Sequence, residues 1–250
     1  SGAVHALRVA MVSMECSMDP AENRRRMLDY VTTIMNQHPD VDLICFGETT
    51  LGWYWKPFGA RSYQEEVAEP IDGPTVSGLR VLAAEHGAYI SFGFAEVVGD
   101  LLYNAAAIIS PDGEIVAHRR KSHFVVMDTL SGYTRGEKEV TVATIGTTKV
   151  ALLICNDFNS RAYQEVINGD PDIQVLLLPH ATANLEPDFW ENYRYNFKGM
   201  WMLSAQRYGA ENRRQYHGSW ILDPNGYMVA YADSGPGFFV YDVAISGDFP

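Results

Sequence analysis

The sequence contains few cysteines. Only Cys16, Cys45 and Cys155 occur in 250 residues, and their odd number and wide spacing fit neither a disulfide framework nor a zinc site. We therefore expect a reducing, cytoplasmic compartment and no bound metal. In that setting a lone cysteine is either a small buried apolar residue or a nucleophile, and its surroundings decide which.

The sequence also lacks an excess of basic residues and any long apolar run. Lys and Arg number 19 against 31 Asp and Glu, which gives a net charge of −12. Nucleic acids and anionic membranes attract basic surfaces, so neither is an expected partner. No apolar run approaches the roughly 20 residues that span a bilayer. The expected partner is a small-molecule substrate.

The remaining composition is that of a folded protein. Hydrophobic residues make up 47% and charged residues 20% of the chain, as is usual in globular domains. Helical and strand patterns alternate with short connections, and no low-complexity linker separates the two halves. These features predict a single α/β domain over residues 1–250 that contains mixed β-sheets.

Hydrophobic periodicity and turn residues predict the individual elements. Helices are expected from the Asp19 cap to about His38, over Pro74–His86 with Gly87 as its C-terminal glycine, between residues 155 and 173, and over 188 to about 206. Strands are expected at 7–14, 41–46, 89–97, 102–109, 114–117, 149–154, 173–178, 218–222 and 227–231. Two similar hairpins, with turns at 110–113 and 223–226, suggest internal duplication without establishing it.

Three reactive side chains follow predicted strands. Glu48 lies just past residues 41–46, Lys121 lies just past the first hairpin, and Cys155 ends the apolar run that begins at residue 149. Active sites of α/β folds are commonly built where strands end. We therefore expect the carboxylate, the ammonium and the thiol to converge in one cleft.

The three groups complement each other chemically. A thiol attacks as a thiolate, so Cys155 needs a base, which Glu48 can supply, and a nearby positive charge, which Lys121 can supply. A backbone N–H at Asn156 would help to stabilise the negative charge that develops on the substrate. Each residue alone also fits an ordinary structural role, but their combination favours catalysis.

The motifs around these residues resemble those of a known superfamily. The segments Phe46-Gly47-Glu48, Arg120-Lys121-Ser122-His123 and Leu153-Ile154-Cys155-Asn156-Asp157 are similar to the Glu, Lys and Cys signatures of the nitrilase, or carbon–nitrogen hydrolase, superfamily. They occur in the family's order. Residues 205–209 and 217–226 resemble the family's closing strands, so the likeness extends over nearly the whole chain.

The resemblance implies a fold and a chemistry. It implies an α-β-β-α sandwich whose subunits associate through a helical face, giving a four-layer core in at least a homodimer. It implies that Cys155 forms a thioester with the substrate, that Glu48 is the general base, and that Lys121 stabilises the tetrahedral intermediates. The products would be an acid and ammonia or an amine, released from a non-peptide C–N bond without a metal or organic cofactor.

The sequence departs from the family pattern at two places. Many members carry a second glutamate before an aromatic-x-x-Gly element, which is here residues 133–136, but Asp128 is the only acid between Lys121 and Gly136. Either Asp128 replaces that glutamate or the deacylating water is handled differently. After the nucleophile, Asn159 resembles the aliphatic amidase branch, which ranks amidase above nitrilase.

Substrate contacts are expected from residues near the triad. Tyr54, with its neighbouring tryptophans, is a candidate wall of the pocket, and Asp128, Asn156 and His180 are further candidates. Ordinary packing explains the aromatic residues equally well, and a structural histidine explains His180. The rival function is a catalytically altered relative that binds a metabolite or a partner protein. The sequence leaves open a simple amide, an N-carbamoyl compound, an ω-amide or a nitrile as substrate.

Overall fold

The computed structural model describes residues 4–182, 193, 195–232 and 234–246. Its helices are α1 (Pro20–Gln37), α2 (Ala60–Val67), α3 (Pro74–His86), α4 (Val126–Leu130) and α5 (Arg161–Asn168), and a 3₁₀ turn covers Cys155–Asn159. Its strands are β1 (Val4–Glu15), β2 (Leu43–Cys45), β3 (Tyr89–Val98), β4 (Leu101–Ile109), β5 (Ile115–Arg120), β6 (Thr141–Ile145), β7 (Thr148–Leu152), β8 (Ile173–Leu177), β9 (Trp201–Ser204), β10 (Arg207–Glu211), β11 (Arg214–His217), β12 (Trp220–Leu222), β13 (Met228–Tyr231) and β14 (Gly237–Ser246).

The strands form two mixed sheets. The first has the order β11-β10-β1-β2-β3-β4-β5, with β14 also paired to β1, and the second has the order β13-β12-β9-β8-β7-β6. Strands β1, β2 and β3 run parallel, whereas β3, β4 and β5 pair antiparallel. The prediction of an α/β fold with two mixed sheets is confirmed.

The connectivity of the first sheet recurs in the second. Strands β7, β8 and β9 are parallel, and β9, β12 and β13 then pair antiparallel. In addition, β6 pairs antiparallel with β7 as β14 does with β1. This repeat gives the suggested duplication a topological basis. It also places Glu48 and His180 after equivalent strands, β2 and β8.

Side-chain alternation along the strands separates the hydrophobic core into layers. Between the two sheets, Val9 and Met11 belong to the same cluster as Val150 and Val175. On the other face of β1, alternate residues pack with α1 and α3, and a third cluster joins α5 to the outer face of the second sheet. Helices therefore cover both outer faces, which is the expected α-β-β-α sandwich.

The first helix forms where the sequence predicts it. The Asp19 side chain accepts a hydrogen bond from the Ala21 N–H at 3.0 Å, and Pro20 occupies the first helical position, where its missing N–H does no harm. The apolar residues at helical spacing are buried, and the chain leaves the helix at His38. The third helix likewise has its predicted bounds and ends at Gly87, whose φ is 71°.

The predicted helix from 188 to about 206 is wrong in its C-terminal part. Residues 183–192 lie outside the described residues, but Trp201–Ser204 forms β9. This strand is central in the second sheet, with Met202 facing the helical layer and Leu203 facing the first sheet. A strand buried on both faces shows no polar alternation, so its apolar run resembles a buried helix.

Several elements escaped prediction. The sequence patterns gave no separate prediction for helices α2 and α4 or for strands β6, β10, β11 and β14. Most of them are short or lie at sheet edges, where hydrophobic periodicity is weak. Within the described part of the chain, no helix combines the length and the apolar character that a membrane span requires.

Gly93 on β3 allows the turn that carries Glu48 to lie directly on the sheet. The Gly93 N–H donates to the Gly47 carbonyl at 3.0 Å, and the Gly93 carbonyl accepts from the Thr50 N–H at 3.1 Å. A Cβ at Gly93 would lie 2.6 Å from the Gly47 oxygen and 2.9 Å from the Glu48 Cα. A side chain at this position would therefore displace the turn.

We predict that Gly93→Ala lowers the free energy of unfolding by about 1–3 kcal/mol, the usual range for overpacking. Urea denaturation measures this change. Gly78→Ala is the matched control, because the nearest atoms to a Cβ at this position in α3 belong to the Leu28 side chain and not to the backbone, and alanine is the better helix former. Equal losses in both variants would contradict the prediction.

Candidate active site

Glu48 lies in a sharp turn just beyond β2 and is completely buried. The next residue, Thr49, has a φ of 48°. One carboxylate oxygen, Oε2, accepts hydrogen bonds from Lys121 Nζ at 2.8 Å and from Asn104 Nδ2 at 2.7 Å. The other oxygen, Oε1, accepts none from the described residues. One oxygen is thus fixed in place while the other remains available to accept a proton.

Lys121 follows β5 and brings its ammonium group to Glu48. Its backbone N–H donates to the Asn104 carbonyl at 2.8 Å, which extends the pairing with β4. Its Nζ lies 2.9 Å from Asp128 Oδ2 and 3.5 Å from the Tyr54 hydroxyl. Burial, the largest single influence, would lower the pKa of Lys121, but the charges of Glu48, Tyr54, Cys155 and Asp128 together outweigh it and raise that pKa well above its usual value. Lys121 is therefore a permanent cation.

Cys155 begins the 3₁₀ turn that follows β7. Its φ of 44° lies in the left-handed region, a conformation that typically costs a non-glycine residue about 1–3 kcal/mol and is common at functional sites. Its N–H donates to the Pro179 carbonyl at 2.9 Å, and the Ala181 N–H donates to its sulfur. Contacts with the segment after β8 therefore hold the strained turn in place.

The structure brings the three predicted catalytic side chains near one another, at the ends of strands from the two sheets. Glu48 and Lys121 are in direct contact, and their charges, with that of Asp128, reach Cys155 strongly enough to shift its pKa. The Glu48 N–H donates to the His180 carbonyl at 3.3 Å, which joins the equivalent strand ends of the two sheets. Cys155 is 7% exposed and Glu48 is fully buried, so the cysteine is the more accessible of the two.

Burial determines the protonation states of the resting site. It raises the pKa of the Cys155 thiol well above its usual value, and the negative charge of Glu48 adds to that increase, while Lys121 and the Ala181 N–H oppose it. Burial also raises the pKa of Glu48, against the opposing charge of Lys121. The thiol is therefore protonated at rest, and Glu48 is a stronger base than an exposed glutamate.

Asp128 supplies a second carboxylate to the same ammonium group. Its Oδ1 accepts from the Tyr54 hydroxyl at 2.9 Å and from Asn104 Nδ2 at 3.1 Å, and its Oδ2 accepts from the Val125 N–H at 3.0 Å. Asp128 is fully buried. Tyr54 and Asp128, two of the residues expected to contact the substrate, are thus hydrogen-bonded to each other, and both lie beside Lys121.

The other two residues expected to contact the substrate, His180 and Asn156, have side chains that already contact other protein groups. The His180 ring lies 3.2 Å from the Ser204 hydroxyl, near the rings of Phe158 and Trp220, and burial lowers the pKa of His180 to about 3. These contacts favour a neutral, structural histidine. The Asn156 amide donates to the Phe124 carbonyl at 3.2 Å and accepts from the side chain of Asn159. Substrate contact by either residue stays a prediction.

Arg207 supports the Glu48 turn and was not identified as a site residue from the sequence. Its buried guanidinium donates to the Glu48 carbonyl at 2.8 Å, to the Thr49 carbonyl at 2.9 Å and to the Gly52 carbonyl. It also pairs with Glu211 at 2.5 Å, and Glu211 accepts from the Tyr54 N–H at 3.1 Å. Sequence spacing could not reveal the contact between Arg207 and Glu48, because about 160 residues separate them.

Asp157 connects the turn that contains Cys155 to the segment that follows Lys121. Its Oδ1 accepts from the N–H groups of Ser122 at 3.1 Å and His123 at 2.9 Å. Its Oδ2 accepts from the Ile154 N–H at 3.1 Å and from Arg119 Nε at 2.9 Å. The residues flanking Cys155 and those following Lys121 are therefore fixed relative to each other. No set of three or more potential metal ligands clusters in the portion of the chain that the structure covers.

Comparison with known proteins identifies the family to which this fold and site belong. The model of the carbon–nitrogen hydrolase family matches residues 8–246, and the chain belongs to this family. The chain is 32% identical over 165 residues to an (R)-stereoselective amidase from a Pseudomonas species, a match that covers 62% of this chain and 57% of the amidase. It is 29% identical over 182 residues to a nitrilase from Pyrococcus abyssi, covering 70% of this chain and 66% of the nitrilase.

Solved structures show the same fold at lower sequence identity. A carbon–nitrogen hydrolase superfamily protein from Xanthomonas campestris is 20% identical, with a TM-score of 0.78 over 97% of this chain and 91% of the other. An amidase from a Nesterenkonia species is also 20% identical, with a TM-score of 0.74 over 96% of this chain and 90% of the other. These similarities confirm the sandwich fold.

We predict that Asp157→Asn lowers the free energy of unfolding by about 3 kcal/mol or more, because it leaves the buried Arg119 guanidinium without its carboxylate. Thermal and urea denaturation measure the change. Asp170→Asn removes a partly exposed partner of Lys149 and should change stability by less than about 1 kcal/mol. A loss at Asp157 no larger than that of the control would show that the connection is unimportant.

Proposed function

We propose that the protein hydrolyses a non-peptide C–N bond in a small amide or N-carbamoyl amide through a thioester on Cys155. The observation that carries the proposal is the buried Glu48–Lys121 pair, with Nζ and Oε2 at 2.8 Å, beside a cysteine held in a strained turn. A base, a fixed positive charge and a nucleophile are the components that acyl transfer through a thiol requires.

The first half of the reaction begins with a neutral thiol. Because burial raises the pKa of Cys155, the thiolate does not accumulate, and Glu48 removes the proton as the sulfur attacks the carbonyl carbon. The Glu48 oxygen that accepts no hydrogen bond from the described residues, Oε1, is the atom suited to receive this proton. Lys121, held as a cation, stabilises the negative charge that develops on the carbonyl oxygen.

Two steps follow the attack: the amine leaves, and water then releases the acyl group. Protonated Glu48 gives its proton to the leaving nitrogen, so that ammonia or an amine departs and the thioester remains on Cys155. Glu48 then removes a proton from water as the water attacks the thioester carbon, and the sulfur takes back that proton as the acid leaves. One water is consumed, and one acid and one amine are formed.

Asp128 replaces the second glutamate of the family in this proposal. It contacts the same ammonium group as Glu48 and also holds the Tyr54 hydroxyl, so it fixes Lys121 from the opposite side. Three hydrogen bonds and one ion pair hold the Asp128 carboxylate in place, so it cannot turn toward a water molecule. We therefore assign Asp128 to the positioning of Lys121 and Tyr54, and the activation of water to Glu48.

An amidase is preferred to a nitrilase. The relatives include the Pseudomonas amidase, deaminated glutathione amidase from rat at 27% identity and an omega-amidase from human at 26%, although the Pyrococcus relative is named a nitrilase. In one solved variant of the Nesterenkonia amidase, acrylamide has undergone Michael addition at the active-site cysteine. The alternatives are a true nitrilase and a catalytically altered member that binds a metabolite or a partner.

Two further parts of the proposal concern assembly and location. We propose association through a helical face into at least a dimer, as the resemblance implies; Val166 on α5 exposes 58% of its surface and would suit such a contact. We also propose a reducing, cytoplasmic compartment. All three cysteines are unpaired and buried, which agrees with a protein that does not depend on disulfide bonds.

We predict that acrylamide or a small amide leaves a covalent adduct on Cys155, because Glu48 can remove the thiol proton during attack. Intact-mass and peptide mass spectrometry locate the adduct. The Cys155→Ala variant should show none. Cys16 and Cys45 are also buried, and burial raises the pKa of both thiols. Labelling confined to them would contradict the assignment of the nucleophile.

We predict that Glu48→Gln and Lys121→Ala each lower kcat by about a hundred- to ten-thousand-fold, the usual contribution of a general base or a charge-stabilising group. Ammonia release from simple amides, N-carbamoyl compounds, ω-amides and nitriles measures turnover and identifies the substrate class. Circular dichroism must show an intact fold. Near-native turnover in a folded variant would remove that residue from the mechanism.

We predict that the acid limb of the kcat/KM profile lies at a higher pH than an exposed glutamate would give. Only the carboxylate form of Glu48 accepts the thiol proton, and burial raises its pKa. The negative charge of Asp128 also raises that pKa, so Asp128→Asn should move the limb to lower pH. Ammonia release measured across the pH range tests this, and a limb that stays in place or moves upward would disprove it.

A further inference from the structure

We propose that Asn104 is a positioning residue of the active site: its side-chain amide holds one oxygen of Glu48, Oε2, and leaves the other, Oε1, to exchange protons with the thiol and with water. This inference deepens the proposed function and rests on it. Asn104 acts through Glu48 and is not itself a proton donor or acceptor in the reaction.

Asn104 is a polar residue in the interior of a sheet. It lies on β4, which is paired on one side with β3 and on the other with β5, and it is completely buried. Asparagine is depleted in strands, and a buried amide is costly unless it is hydrogen-bonded. The contacts of the amide must therefore compensate for its burial.

The side-chain amide of Asn104 donates to both carboxylates of the site. Its Nδ2 lies 2.7 Å from Glu48 Oε2 and 3.1 Å from Asp128 Oδ1, so each of its two hydrogens has an acceptor. The same two carboxylates contact Lys121 Nζ at 2.8 and 2.9 Å. The amide and the ammonium group thus bridge the two carboxylates together, and Glu48 Oε2 accepts from both.

The two carboxylates determine the orientation of the Asn104 amide. The reverse orientation would place its carbonyl oxygen, Oδ1, against two carboxylate oxygens, which repel it. In the observed orientation, Oδ1 accepts no hydrogen bond from the part of the chain that the structure describes. A buried carbonyl without a donor is unfavourable, so the two contacts with the carboxylates outweigh that cost.

The backbone of Asn104 adds a contact with Lys121. Its carbonyl accepts from the Lys121 N–H at 2.8 Å. Asn104 therefore holds the main chain of the lysine through its own main chain, and Glu48 and Asp128 through its amide. The relative positions of the three charged groups thus depend on one residue in the interior of the first sheet.

Occupation of Oε2 decides which oxygen of Glu48 reacts. Oε2 accepts from Asn104 and Lys121, whereas Oε1 accepts from none of the described residues. Without the amide, only Lys121 holds Oε2, and the carboxylate is freer to rotate about its last bond and exchange its two oxygens. The amide also stabilises the carboxylate form without adding a charge, which lowers the pKa of Glu48 against the increase that burial causes.

Several charged or titratable groups surround Glu48 and influence its titration. They are Lys121 after β5, Asp128 on α4, Tyr54 after β2, Tyr133 after α4, Cys155 after β7 and Arg207 on β10. The substitution Asn104→Leu leaves all of these groups in the chain. A change in the titration of Glu48 in this variant therefore reports the loss of the amide.

The experiment measures ammonia release across the pH range in Asn104→Leu, because leucine has nearly the shape of asparagine but donates no hydrogen bond. We expect the acid limb of kcat/KM to move upward by about one pH unit, since a hydrogen bond to a charged group is worth about that much. We expect kcat to fall by about ten- to a hundredfold, as misplacement of a catalytic group does, with KM near its native value.

Asn23→Leu is the matched control for a purely structural effect. Asn23 is also completely buried, and its Nδ2 donates to the Ser17 and Leu51 carbonyls at 2.8 and 2.9 Å. Loss of these bonds lowers stability but removes no contact with a carboxylate, so the acid limb should stay in place. If Asn104→Leu does not fold, Asn104→Asp replaces it, because its added acid beside Glu48 should also move the limb upward.

Titration of Glu48 in the Cys155→Ala variant separates this inference from the proposed function. With isotopically labelled glutamate, NMR follows the Glu48 carboxyl carbon without turnover, and Glu48→Gln identifies its signal. A midpoint that Asn104→Leu moves upward supports the inference even if no amide is hydrolysed, in which case the proposed function alone is wrong. A midpoint or acid limb that stays in place or moves downward, or an equal shift in Asn23→Leu, overturns the inference.

Discussion

The ammonium group of Lys121 is buried between two carboxylates, and the rest of the site is arranged around it. An isolated charge in the interior is very unfavourable, so the cation persists only because Glu48 and Asp128 lie 2.8 and 2.9 Å away. The same contacts hold one oxygen of Glu48 and, through Asp128, the Tyr54 hydroxyl. Exclusion of water strengthens these interactions, and it also keeps the neighbouring thiol neutral until a substrate arrives.

Two buried ion pairs fix the positions of these side chains within the fold. Arg207 and Glu211 fix the turn that carries Glu48, and Arg119 and Asp157 connect the turn that contains Cys155 to the segment that follows Lys121. Arg119 and Asp157 come from different elements, β5 and the 3₁₀ turn, whereas Arg207 and Glu211 both lie on β10 and bind backbone groups of residues 48–54. Groups that must approach within hydrogen-bond distance are therefore positioned by polar contacts of defined geometry, whereas hydrophobic packing alone would allow them to shift.

The sequence was sufficient for the parts of this structure that depend on local pattern. The Asp19 cap, the bounds of α3 and the strand ends that carry Glu48, Lys121 and Cys155 follow from periodicity and turn residues. The strand at Trp201–Ser204 did not, because a strand buried on both faces lacks alternation. Asn104, Asp157 and Arg207 also escaped, since their importance lies in contacts across 24 to 159 residues of chain, which no local pattern encodes.

The pairing of β1 with β14 affects how the chain acquires its fold. Ten residue pairs, from Val4 with Ser246 to Ser13 with Gly237, join the first described strand to the last. During synthesis on the ribosome, β1 therefore lacks β14, one of its three pairing partners, until nearly all of the other strands have emerged. Contacts of such large sequence separation form slowly. The sheet that carries Glu48 is thus completed only after translation of this region ends, and until then its open edge needs protection from other chains.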